Sequence, residues 1–239
     1  MPVATLRPAA TVVVARRSLA DQSFHILMVR RNDKVAFMGG AYVFPGGRVD
    51  ENDEAAAAAA PSPVPTRFTD LTPDGEQAFR HAAVRELREE ASVTVDPAAL
   101  VPFAHWVTPE IETRRYDTRF FLVEMPPGQE ARHDQDETTD LRWLSPRDAI
   151  ASCLAHEIML PPPTWTTLKQ FARFSSLEEA LSWAQSRRIV RVQPAFFRDD
   201  ERTMLTLPGD PTYPAIDGWE VPEDTRFLLR EGRWLPVRE

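Results

Sequence analysis

Three glutamates crowd one short stretch of this chain, Glu86, Glu89 and Glu90 in the run Arg85-Glu86-Leu87-Arg88-Glu89-Glu90. On a helix, Glu86 and Glu90 stand one turn apart and Glu89 lies on nearly the same side, so the carboxylates share a face. The helix itself is well signalled. Thr72-Pro73 offers an N-cap and a first-turn proline, and Phe79, Ala83 and Leu87 recur every four residues, which predicts a helix through Ala91 with one apolar stripe for the core. Like charges at this spacing cost a few tenths of a kcal/mol per pair, so solvent, arginines or a cation must offset them. A divalent ion does so most completely, and an all-oxygen donor set selects Mg2+ or Mn2+ over zinc. Without further context, such a helix is more often a solvated face of exchanging ion pairs.

The flanking sequence has to supply that context. Residues 11–17 (TVVVARR) and 24–31 (FHILMVRR) read as two strands of a hairpin, joined by turn residues Asp21-Gln22-Ser23. Residues 41–44 read as a further strand running into Pro45-Gly46-Gly47, a loop able to expose carbonyls to a ligand. From Glu51 to about Thr69, an alanine run followed by PSPVPT reads as a surface insertion with little to bury. Probable strands over 100–107, 117–124 and 141–144 precede Ser145-Pro146, which starts a helix over 147–155. After Pro161-Pro162-Pro163, helices are predicted over 164–173 and 176–186, then short strands ending in a hairpin across Glu231-Gly232. The fold class is therefore α/β with mixed strands.

Composition removes several function classes. The 239 residues are 43% hydrophobic, enough for a sizeable core, yet no apolar run approaches the roughly 20 residues that span a bilayer. A net charge of -8 argues against binding a nucleic-acid duplex through its backbone. Cys153 is the only cysteine, which rules out an internal disulfide and a thiolate zinc cluster and reads as a packing thiol. The five histidines show no metal-ligand spacing. Residues 1–17 lack the pattern of a secretory signal and the chain closes on Val237-Arg238-Glu239 rather than a Ser-Lys-Leu-like tripeptide, so the expected location is the cytoplasm.

Arg85, Glu86, Leu87, Glu89, Glu90 and Val93, with Gly46-Gly47 upstream, resemble the Nudix box, in which glycine precedes Arg-Glu-apolar-any-Glu-Glu-any-Gly-apolar. Two departures stand out: an insertion of about 24 residues inside the box, and Ser92 where the family prefers glycine. A left-handed serine there costs roughly 1 kcal/mol. The insertion, His105-Trp106-Val107-Thr108-Pro109, the segment Arg115-Tyr116-Asp117-Thr118-Arg119-Phe120-Phe121 and Pro161-Pro162-Pro163-Thr164-Trp165 together resemble the coenzyme A diphosphatase branch, Nudix type 19 in the mammalian naming. The resemblance reaches from about Thr11 to Leu168.

It implies a Nudix α/β/α sandwich with a mixed β-sheet over residues 1–160, the insertion occupying about 51–71, plus a C-terminal α+β extension over 161–239. It also implies a Mg2+- or Mn2+-dependent hydrolase acting on a diphosphate in a small nucleotide-derived molecule, coenzyme A or acyl-CoA first. ADP-ribose, NADH or dinucleoside polyphosphates are the alternatives, as is a non-catalytic metabolite-binding module. Glu86, Glu89, Glu90 and the Gly47 carbonyl are the implied metal ligands, with Arg85 orienting the carboxylates. A further carboxylate outside the box, as base or as ligand for a second metal, is implied in the loop at Asp136 and Glu137, with Glu137 preferred, set against an ordinary acidic loop. Arg115, Tyr116 and Arg119 are candidate substrate contacts, set against surface salt bridges. Trp165, Phe171 and Trp183 are candidate walls for a pantetheine arm, set against ordinary core. No membrane partner is expected, and a homodimer is left open.

Overall fold

The computed structural model describes residues 3–19, 23–33, 39–59, 65–134, 138–198 and 202–237. In chain order the elements are β1 (Leu6–Arg17), β2 (Phe24–Arg31), β3 (Tyr42–Val43), β4 (Gly46–Arg48), α1 (Glu51–Ala59), α2 (Pro73–Ala91), β5 (Val101–Val107), β6 (Arg115–Glu124), β7 (Thr138–Leu144) and α3 (Pro146–Leu154). The C-terminal elements are α4 (Pro162–Phe171), α5 (Leu177–Ser186), β8 (Arg191–Val192), β9 (Ala195–Arg198), β10 (Thr203–Thr206), β11 (Arg226–Arg230) and β12 (Arg233–Pro236).

The central strand is β1, and its composition says why. Val12, Val13, Val14 and Ala15 are all fully buried, because alternate side chains enter cores on opposite faces of the sheet. Val12 and Val14 join Phe79, Ala83 and Leu87 of α2, while Val13 and Ala15 join residues of α3, α4 and α5. Helices therefore cover both faces of a mixed sheet ordered β3-β2-β1-β6-β5-β8, with β4 on β1 and β7 on β2, which is the expected α/β/α sandwich. β1 pairs antiparallel with β2 and parallel with β6. The turn residues Asp21 and Gln22 lie outside the described residues.

The helix α2 has the boundaries its sequence predicts. Thr72 Oγ1 accepts the Gly75 amide at 3.1 Å, and Ser92 ends the helix in a left-handed conformation, φ 57°, donating its N–H to the Arg88 carbonyl. The insertion is not the loose surface segment its composition suggests. Residues 51–59 form α1, whose Asp53 and Ala57 are buried, and Asp50 and Asp53 each accept the other's backbone amide at 3.0 Å. Alanine has the best intrinsic helix propensity, so the run that reads as featureless extends a capped helix. Residues 60–64 lie outside the described residues.

Beyond them the chain is locked down again. Phe68 is 2% exposed, and the Arg67 guanidinium donates to the carbonyls of Pro102 at 2.8 Å, Ala184 at 2.8 Å and Arg187 at 2.6 Å. One arginine thereby ties the insertion to β5 and to the end of α5. Residues from both sides of position 160 share one apolar cluster, which includes Met28 and Phe120 from before it and Trp165, Leu205 and Trp234 from after it. β8 joins the edge of the main sheet in parallel with β5, and β9 to β12 form a second, antiparallel sheet of four strands whose last pair is the expected hairpin.

Two outcomes follow from this packing. Arg67→Met should destabilise the chain by about 2–4 kcal/mol, since it strands three inward carbonyls, and chemical denaturation measures it; a loss below half a kcal/mol would contradict the anchoring role. His105 is 3% exposed and its Nε2 lies 2.6 Å from Asp117 Oδ1. Burial holds its pKa below the ordinary 6.5, outweighing the pull of Asp117. The folded chain therefore binds fewer protons at His105 than the unfolded chain. Its contribution to stability is complete above pH 6.5 and declines as pH falls below that value. Melting temperature measured across that range should fall on acidification, with a shallower slope in His105→Gln.

Candidate active site

A cleft of about 650 Å3 opens where α2 passes the β4 strand. Its residues come from the glutamate helix (Arg85, Glu86, Glu89, Glu90), from Gly46 and Gly47, from the cleft-facing side of β1 and β6, and from the C-terminal sheet. The close approach of helix and strand is made possible by glycine. A Cβ on Gly47 would collide with the Glu86 carboxylate, and one on Gly46 with the Ala10 carbonyl. Gly46 donates its amide to Glu90 Oε2 at 2.9 Å, which anchors the innermost carboxylate. Glu90 is 7% exposed, whereas the Glu89 side chain is half exposed.

Arg85 holds the arrangement in charge balance. Its guanidinium donates to Asp53 at 2.9 Å, Glu86 at 2.8 Å, Glu89 at 3.2 Å and the Arg48 carbonyl at 2.8 Å. The Asp53 bond first, and the Glu86 bond and charge after it, raise its pKa well above the ordinary arginine value despite burial. With Glu86 and Glu89 drawn to Arg85 and Glu90 to the Gly46 amide, the three carboxylates do not converge on one point. The donor set facing the cleft is nonetheless all hard oxygen, suited to a divalent cation of the Mg2+ class and unsuited to a soft metal.

The candidate substrate contacts separate by strand parity. β6 sends Tyr116, Thr118 and Phe120 into the cleft and Arg115, Asp117, Arg119 and Phe121 toward α2. Arg119, 1% exposed, bridges Asp70 at 2.6 Å and Asp117 at 2.7 Å beneath Phe68 and Phe79. Arg115, 5% exposed, donates to the carbonyls of Thr108 and Ala4 and to Gln193. Neither arginine lines the cleft, so of the three expected contacts Tyr116 alone does. His105 gathers with Asp70 and Asp117 within 4.8 Å, a grouping in space that no spacing along the sequence reveals. The Arg119 guanidinium already bridges both carboxylates there.

Asp136 and Glu137 lie outside the described residues; their neighbour Asp134 lines the cleft and accepts from the Thr138 amide and hydroxyl. Trp165, Phe171 and Trp183 do not line the cleft. Trp165 is buried with its Nε1 on Asp224, and Phe171 and Trp183 stack in the core. Cys153 is buried in the core and burial raises its pKa, the opposite of what a nucleophilic thiol requires.

Sequence reasoning missed two features. Asp53, buried against Arg85, was signalled only by its capping position three residues after Asp50. Arg31 lines the cleft, the register of β2 against β7 shifts between Arg30 and Arg31, and Arg31 Nε is buried with no hydrogen-bond partner among the described residues. A bulge of this kind re-aims a side chain.

With this geometry in view, comparison with known proteins gives a consistent result. The sequence profile of the NUDT19 Nudix domain matches residues 86–171. A crystal structure of a Nudix hydrolase from Alicyclobacillus acidocaldarius superposes with a TM-score of 0.67 at 25% identity, covering 76% of this chain and 97% of that one. In sequence and in fold the chain is therefore similar to the Nudix hydrolases. It is similar to the acyl-coenzyme A diphosphatase NUDT19 of Homo sapiens, 27% identical over 89% of this chain and 80% of that protein. It is also similar to the Gallus gallus protein of the same name, 28% identical over 87% and 80% respectively.

Gly47→Ala tests whether the glycine is there to admit the Glu86 carboxylate. The added methyl should displace that carboxylate and weaken Mn2+ binding about 10- to 100-fold, read by calorimetric titration. Unchanged Mn2+ affinity in a folded variant would show that Glu86 takes no part in cation binding.

Proposed function

We propose that this Nudix hydrolase cleaves the diphosphate of coenzyme A and its acyl thioesters, releasing 3',5'-ADP and 4'-phosphopantetheine or its acyl form. The observation that carries the reading is one cleft holding the carboxylate helix and the Gly46-Gly47 strand together with arginines and apolar side chains. Support comes also from relatives named acyl-coenzyme A diphosphatase, which align over most of both chains.

In this reading Glu86, Glu89, Glu90 and the Gly47 carbonyl hold Mg2+ or Mn2+. When bound, such an ion neutralises charge on phosphate oxygens and acidifies water. The chain's own groups do the rest. Arg85 keeps Glu86 and Glu89 oriented through its fork of hydrogen bonds, and Asp53 keeps Arg85 in place. Arg31 and Arg48, the other arginines of the cleft, meet anionic oxygens of the substrate, a role for which the buried Nε of Arg31 is suited. Tyr116 contacts the substrate from β6. A carboxylate of the loop preceding β7, Glu137 by expectation, accepts the proton of the attacking water. The expected location is the cytoplasm; no helix of the described residues is long and apolar enough to cross a membrane.

Glu90→Gln keeps the shape of the side chain and removes the charge. It should lower turnover on the order of a hundredfold or more with the fold unchanged by circular dichroism; wild-type turnover with Mn2+ present would refute the assignment. The substrate is tested by presenting coenzyme A, dephospho-coenzyme A, ADP-ribose and NADH with Mn2+ and identifying the products. Coenzyme A should have the highest kcat/KM. Preference for ADP-ribose or NADH would overturn the coenzyme A reading, and binding without cleavage of any of them would favour a metabolite-binding module.

A further inference from the structure

The cleft is much longer than a diphosphate, and its two ends differ in chemistry. The carboxylates sit beside Gly47 on β4. From there the lining crosses β1 and β6, reaches Trp106 on β5 and continues to Pro194, two residues beyond β8. Crossing from β4 to β8 means four inter-strand steps, roughly 19 Å at ~4.8 Å each. A diphosphate occupies little more than one step.

The far end is built by the C-terminal sheet. Pro194 leads directly into β9, where Phe196 pairs with Leu205 of β10 and meets the Trp234 ring of β12 at 6.3 Å, edge to face. Leu205 and Trp234 both line the cleft, and Trp106 is braced from behind by Trp219 at 5.9 Å. Between the two ends, Thr118 of β6 lines the cleft, and Thr164 of α4 is a second threonine of its lining.

We infer that the C-terminal sheet, through Leu205 and Trp234, is the part of the active site that recognises the pantetheine arm and sets which acyl thioesters are accepted. The inference rests on the coenzyme A reading and adds to it the residues that select. Three properties of the arm match the cleft. From its phosphate ester to its sulfur it has about as many chain bonds as four extended residues, roughly 14 Å, which carries the sulfur from the carboxylates to the Trp106 end. Its two amides fall in the middle, at the level of Thr118. Its sulfur, with any acyl group, falls among apolar rings. The second half of ADP-ribose, a single sugar, is too short to reach Leu205 or Trp234.

The test compares the wild-type chain with Trp234→Leu and Leu205→Phe, using Mn2+ and coenzyme A, acetyl-, octanoyl- and palmitoyl-coenzyme A, with NADH as an arm-free diphosphate. Trp234→Leu should raise KM for coenzyme A roughly tenfold, with the loss in KM rather than kcat, the KM for NADH unmoved and Mn2+ affinity unmoved. Leu205→Phe should shift preference toward shorter acyl chains. If a wild-type preference for coenzyme A is seen and neither variant alters it, or if KM for coenzyme A and NADH rise together, the assignment of the C-terminal sheet falls while the substrate reading stands. Wild-type preference for NADH would remove both. Should the variants fail to fold, hydrogen exchange of the wild type with and without pantetheine decides: protection in β10 and β12 supports the inference, and its absence overturns it.

Discussion

The ion-pair hub of Arg85 is what lets the rest of this site exist. Three carboxylates on one helical face repel one another, and a single guanidinium, itself held by Asp53 and the Arg48 carbonyl, binds two of them. The arrangement reaches outward from there. Asp53 belongs to α1, so the insertion that interrupts the box pattern also completes its electrostatics. The Arg48 carbonyl belongs to β4, so the same hub fixes the strand that carries Gly46 and Gly47. An insertion that first looks like an interruption of the motif is in physical terms its counter-charge.

The sheet acts as a partition between two kinds of polar chemistry. On the α2 side, the buried Arg119 and His105 are linked to the exposed Asp70 and half-buried Asp117 in a network of ion pairs and hydrogen bonds. The glutamate helix, at the mouth of the cleft, carries more negative charge than its arginine balances. In the first, each carboxylate already has an arginine partner, whereas the like charges of the second remain to be offset by solvent or a cation. Adjacent residues of one strand, Thr118 and Arg119, serve these two environments.

That alternation explains what the sequence could and could not reveal. The bounds of α2 were legible because Thr72-Pro73 and the Phe79-Ala83-Leu87 stripe are local signals, and the carboxylate face follows from helical geometry alone. The β6 strand carries polar residues on both faces, Arg115, Asp117 and Arg119 on one and Tyr116 and Thr118 on the other, so no pattern of polar and apolar residues says which parity faces a ligand. Arg115 and Arg119 therefore read as substrate contacts, whereas both are buried and neither lines the cleft. The far wall was illegible for another reason: Leu205, Trp234 and Trp106 meet through tertiary packing across some 130 positions, and nothing near any of them in the chain announces the others. Trp165, Phe171 and Trp183 carried the same apolar signal and went to the core instead.

The parallel pairing of β1 with β6 has a temporal meaning as well as a spatial one. Leu6 sits opposite Arg115 in the register, so the central strand of the sheet waits for a partner more than a hundred residues later. During synthesis the hairpin of β1 and β2 can form early, but the valines of β1 keep an open edge until β6 has emerged, and loop closure over that distance is slow. The two halves of the cleft are in this sense products of different times, with the glycine strand and glutamate helix translated before the sheet that seats them can close. A nascent chain arrested before residue 115 would thus present an apolar strand edge of the type that pairs with other chains, and the order of translation makes that exposure unavoidable.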